Sequence, residues 1–104
     1  MPPSESEELD LLKRLAAKYV WWKHPNEAVR YPQRVMAQVM TIGEYEDIQQ
    51  LVKVAGNERL KDVLRQAEIG QFSEQAWAYW HYRLGLAAFD SVPPLPSERF
   101  PAPR

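Results

Sequence analysis

An all-helical bundle of about five short helices with an extended proline-rich C-terminal tail is the fold class this sequence predicts. Three observations carry it. Gly43, Gly56, Gly70 and Gly85 recur at near-constant spacing, each after a segment with apolar residues at helical intervals, where a left-handed residue ends a helix. The prolines lie almost entirely outside those segments, at the N-terminus, at Pro25 and Pro32, and from Pro93 onward. No segment alternates apolar and polar residues with period two, so no sheet is expected.

The first helix is expected to begin after Ser4, with Glu7 completing a capping box. Leu9, Leu12, Leu15, Ala16, Tyr19 and Val20 share one face of it, as a period of 3.6 residues requires. Trp21 and Trp22 follow, and His24-Pro25 turns the chain away from helix. One further turn is expected over Pro25 to Val29. In Gln33 to Ile42 the apolar residues cover more than half the circumference, which marks a helix central to the packing.

Glu44 to Ala55 and Glu58 to Ala67 carry narrower stripes, Ile48/Leu51/Val52/Ala55 and Leu60/Val63/Leu64/Ala67, with Asn57 expected to cap the second. The last helix follows Ser73, another N-cap residue, and runs to about Leu84. Residues 1–88 thus read as the bundle and 89–104 as the tail. Leu86, Phe89, Val92, Leu95 and Phe100 make that tail more apolar than a flexible linker. Two fates are open to it: a strap on its own bundle, or an extended ligand docked into a partner.

With 104 residues, the chain can bury one modest core. Thirteen Lys and Arg against 14 Asp and Glu give a net charge of -1, which disfavours a protein that grips DNA mainly through phosphates. Cysteine is absent, so disulfides and thiolate metal sites are excluded. The start MPPSESEELD has no basic-then-apolar signal pattern, and no apolar run reaches the roughly 18 residues of a membrane span. A cytoplasmic protein that neither enters nor binds a membrane is expected.

Chemistry finds little foothold. His24 and His81 are the only histidines, without a second ligand at helical spacing, so no metal is expected. The glycines never cluster into a phosphate cradle, and no Ser or Thr occupies a nucleophile elbow. Carboxylates such as Glu7/Glu8 and Glu44/Glu46/Asp47 stand at helix starts, where the helix dipole suffices to explain them and solvent keeps their pKa values ordinary. No catalytic residue, cofactor or enzymatic activity is expected.

Two surfaces remain. The helices around Gly56-Asn57 can be read as a helix-turn-helix offering Arg59, Lys61 and Arg65 to DNA. These basic residues do not form one stripe, however, and Asp62 intervenes. On the last helix Trp77, Trp80, His81 and Leu84 share a face that the core needs, while Tyr79 and Tyr82 point elsewhere. Tyrosine suits interfaces because it brings area and a hydroxyl at small rotamer cost. Tyr79, Tyr82 and Arg83, with Leu95, Arg99 and Phe100 of the tail, are the candidate partner-binding residues. A self-associating structural protein is a third reading of the chain.

Trp21-Trp22, RVMAQVMTIGEYEDIQQLVKVAGNERLKDVLRQA, FSEQAWAYWHYRLGL and PPLPSERF, taken in that order, resemble a family of small bacterial proteins. The resemblance covers roughly residues 19–100. It rests on a V-x-x-x-G-x-x-x-D run from Val39 to Asp47, the Val63-Leu64-Arg65 helix and the aromatic helix before the C-terminus. Members are often encoded beside nucleotidyltransferase-like toxins of the AbiEii type, which implies an antitoxin that binds and neutralises such a partner. The family brings no catalytic group with it. The chain departs from typical antitoxins in lacking a DNA-binding arm, which weakens autorepression as an expectation more than neutralisation. A small DNA-binding regulator is the alternative.

Overall fold

The computed structural model describes residues 5–88 and 91–96, and five helices order them: α1 (Glu5–Tyr19), α2 (Pro25–Ala28), α3 (Pro32–Ile42), α4 (Tyr45–Arg65) and α5 (Glu74–Arg83). No strand occurs among the described residues. The all-helical expectation is met. Ser4, the expected first cap, lies outside the described residues, as do Phe89 and the end of the tail.

Helix α3 is the hub. It packs against α1, α2, α4 and α5, and Val35, Met36, Ala37, Val39 and Met40 are all buried. Its apolar circumference needs partners on several sides, which short loops to its neighbours supply. Leu12, Leu15, Ala16 and Tyr19 of α1, and Val20 just past its end, are buried as the periodicity predicts. Leu9 departs from that pattern at 41% exposure, and Leu11 is buried in its stead. Each fully buried leucine contributes about 1.5–3 kcal/mol of burial free energy.

Short α2 is set by its own sequence. His24 Nδ1 accepts from the Asn26 N–H at 3.1 Å and Pro25 occupies the first turn, where a missing N–H costs nothing. His24 is therefore a cap.

Two glycines behave differently from the expectation. Gly43 ends α3 in extended conformation (φ -66, ψ 151), not left-handed. Its requirement is space: a Cβ there would overlap the Val39 carbonyl and approach Val39 Cγ1 to 2.9 Å. Gly56 (φ 85, ψ 161) interrupts α4 with non-helical backbone, so two helices meet there across a kink as the two stripes predicted, but its ψ is extended and not that of a left-handed cap. Leu51 of the first half and Leu60, Val63 and Leu64 of the second are buried.

At the end of α5, Gly85 (φ 73) takes the left-handed position as expected. Leu86 N–H donates to His81 O at 2.9 Å and Gly85 N–H to Tyr82 O at 3.1 Å, the paired bonds of a Schellman turn. This turn sends the chain back across the bundle. Leu86, Val92 and Leu95 then pack against the core. The described part of the tail is a strap.

Candidate interaction surface

Ser73 starts α5, its Oγ accepting from Ala76 N–H at 3.1 Å. The helix then sorts its aromatic residues as the wheel demands. Trp80 is wholly buried and donates from Nε1 to Met40 O at 2.8 Å, which fixes α5 on α3. Trp77 and His81 are also buried. Tyr79 and Tyr82 are 52% and 42% exposed.

Arg83 organises the outer face. Its Nη1 donates to Tyr79 Oη at 2.8 Å, and its guanidinium lies 5.2 Å from the Trp80 ring centre and 5.9 Å from that of Tyr79. Tyr79 in turn meets Trp80 edge-on at 5.3 Å. Beside this stack lies an open hollow of about 280 Å³, walled by Met40, Tyr45, Ile48, Ala76, Tyr79 and Arg83. Tyr45 and Ile42, both exposed, stand at the α3–α4 junction. The structure thus adds Tyr45 to the predicted Tyr79 and Arg83. Tyr45 was hidden in the sequence because only the fold brings the start of α4 beside α5.

Of the tail candidates, Leu95 is described and does not line this hollow. Leu95 packs against the core, and the strap crosses the Trp77–His81 side of α5. Arg99 and Phe100 lie outside the described residues.

A second exposed aromatic group forms where α1 gives way to α2. Trp21 and Trp22 meet edge-to-face at 5.7 Å, and Tyr31 lies beneath Lys23 and Arg34, 5.8 and 4.9 Å from its ring centre. In the sequence the two tryptophans stand past the last turn of α1. No periodicity there tells whether they point inward or outward.

No protein-family model, curated protein or solved structure matches the chain.

The remaining candidates have structural occupations. Arg59 pairs with Glu8 at 3.0 Å, Lys61 with Glu58 at 3.2 Å and Arg65 with Asp62 at 2.7 Å. Each cation considered for DNA already faces a carboxylate, so this helix presents no uncompensated basic stripe. Among the described residues no cluster of three or more His, Asp or Glu could hold a metal ion. No helix among them is long and apolar enough to cross a membrane.

Asp47 corrects the reading of its acidic run as solvated. It is buried. Its Oδ2 accepts from Tyr19 Oη at 2.6 Å and Lys18 Nζ at 2.8 Å, and Arg14 stands 3.6 Å from Oδ1. The hydrogen bond from Lys18, then that from Tyr19, hold the Asp47 carboxyl below the usual carboxylate range despite burial. Burial first, and the bond to Asp47 next, push the Tyr19 phenol up. The Lys18 ammonium is raised by its bonds to Asp47 and Glu44. Every partner here is satisfied, which marks a clamp between α1 and α4.

Proposed function

We propose that this chain is a non-enzymatic protein-interaction module, and that it acts as an antitoxin by binding and neutralising a nucleotidyltransferase-type toxin. The observation that carries the interaction reading is the exposed Tyr79–Arg83 pair packed against Trp80 beside an open hollow of mixed apolar and polar lining. Tyr and Arg are the residue types that dominate binding energy at interfaces. Here both are already held in one geometry, so less side-chain entropy is lost on docking. The toxin as partner rests on the sequence resemblance alone.

Co-expression with a toxin of that type, followed by co-purification and a growth assay, tests the reading. The expected result is a stable complex and restored growth. Tyr79→Ala and Arg83→Ala each weaken the complex about ten-fold or more and leave the thermal unfolding midpoint unchanged. A chain that stays free beside an intact toxin removes the toxin from the reading. A complex indifferent to both substitutions removes the surface.

A further inference from the structure

The inner edge of α5 carries a different feature from the surface just described. Past the Schellman turn, Ser91 N–H and Oγ both bond to Ala88 O, at 3.0 and 2.8 Å. Residues 91–96, Ser-Val-Pro-Pro-Leu-Pro, then cross α5 without regular secondary structure. Trp77 Nε1–H donates to Pro93 O at 2.8 Å. Val92 and Leu95 pack against the core.

Such a contact is how proline-rich segments are recognised between chains. Proline fixes the backbone in an extended form that needs little further ordering, and its carbonyls are good acceptors with no N–H of its own to satisfy. Aromatic-lined grooves exploit this. An indole N–H aimed at a carbonyl, with apolar side chains seated on either side, is the same arrangement within one chain.

The strap does not fill its seat. A cavity of about 380 Å³ remains, walled by Leu64, Ala67, Trp77, His81, Pro93 and Pro96 among others. His81 is 5% exposed, and its Nδ1 lies 2.7 Å from Trp77 O. A carbonyl only accepts, so Nδ1 carries the hydrogen of this bond and Nε2 is the ring's second polar position. Nε2 is on the far side of the ring from that bond, and among the described residues it has no hydrogen-bond partner.

We propose that this α4–α5 groove is a recognition site for a proline-rich segment of another protein, kept closed by the chain's own residues 91–96. The fitting ligand is an extended proline-containing peptide with a carbonyl that takes the Trp77 indole N–H, as Pro93 O does in the strap. Its binding displaces the strap. This site is distinct from the Tyr79–Arg83 face and does not depend on the toxin reading.

The test uses the full chain, 15N-labelled, and the blocked peptide Ser-Val-Pro-Pro-Leu-Pro as probe, with Ser-Val-Ala-Ala-Leu-Ala as control. Two indole resonances report separately: Trp77 for the groove and Trp80, bonded to Met40 O, for the intact core. Trp77→Phe assigns the first. In the strap variant Val92→Ser/Leu95→Ser the proline peptide should move the Trp77 signal saturably while Trp80 stays put. Wild type should need at least about ten-fold more peptide, because its tethered strap competes at high effective concentration. The alanine peptide should move neither.

A Trp77 signal indifferent to the peptide in both chains overturns the proposal, as does equal response to the alanine control. Were the strap variant to lose its Trp80 signal, the wild-type titration alone decides on the same criteria. A dimer forming with chain concentration, and dissolved by the strap substitutions, overturns the assignment to another protein and gives the groove to a second copy of this chain.

Discussion

Tyr19 Oη donates to Asp47 Oδ2 at 2.6 Å while accepting from the Glu44 N–H at 2.8 Å. One hydroxyl thus satisfies a buried carboxylate and an unpaired amide at the start of α4 together. The bond ties α1 to α4 across 28 residues of sequence, and Lys18 closes the same carboxylate from the solvent side. Because Tyr19 and Lys18 both donate to Asp47 Oδ2, their contributions are coupled.

Asp47→Asn should therefore destabilise the fold by about 1.5–3 kcal/mol, the range for hydrogen bonds to a charged group. Tyr19→Phe should cost a similar amount, since it leaves both Asp47 and the Glu44 amide short of a partner. The double variant should cost less than the sum. Urea denaturation of all four chains checks this, and strict additivity would contradict the shared clamp.

The pH response follows from the directions of the shifts. Asp47 is depressed below its ordinary value of 3.8, so its stabilisation is complete above that value and fades as pH falls through the lower folded value. Tyr19 and Lys18 are raised above 10.0 and 10.5. Their contributions are complete below those values and are lost as pH climbs through the folded ones. Stability should form a plateau near neutrality and fall at both extremes. In Asp47→Asn the acid limb should be shallower, as equilibrium unfolding from pH 7 to pH 2 will show.

Two glycine substitutions should fail for different reasons. At Gly56 an added Cβ meets open space but φ is +85, in a region that side chains other than hydrogen rarely enter. Gly56→Ala should cost about 1–3 kcal/mol of backbone strain. Gly43→Ala places its Cβ against the Val39 carbonyl in an ordinary backbone conformation, so overpacking costs about 1–3 kcal/mol. Val39→Ala also removes the Val39 Cγ1 contact at 2.9 Å, yet cannot move the carbonyl. It should rescue Gly43→Ala at most in part, read as thermal midpoints.

Adjacent residues on α5 should part company. Trp80→Phe loses a buried ring and the bond to Met40 O, and should cost about 2 kcal/mol or more. Tyr79→Ala, at 52% exposure, should stay within about 0.5 kcal/mol of wild type. A large loss from Tyr79→Ala would mean that the outer face is part of the core.

Much of this fold was legible because its helices carry periodic apolar faces. The stripe on α3 predicted its central place, and the split of α5 into a tryptophan face and a tyrosine face holds in three dimensions. What local pattern could not reveal was burial decided by distant chain. Asp47 reads as one more carboxylate at a helix start until Lys18 and Tyr19 arrive from α1. Tyr45 has no reason to matter until α5 lies beside it. Leu9 and Leu11 exchange places because an α1 face does not say which edge its neighbours cover. The strap was one of two readings of the tail, and the Trp77 indole with the seating of Val92 and Leu95 on the core chose between them for residues 91–96.

The central place of α3 has a consequence for the chain before it folds. Val35 to Ile42 contains no charge, proline or glycine, and most of it is buried against four other helices. Left open, a stretch of that composition is what pairs edge to edge between chains and seeds precipitation. Arg34 and Glu44 stand near its two ends, in the manner of charges that discourage such stacking. Loss of the α1–α4 clamp therefore endangers solubility as well as stability: variants at Tyr19 or Asp47 should aggregate on heating, where wild type refolds.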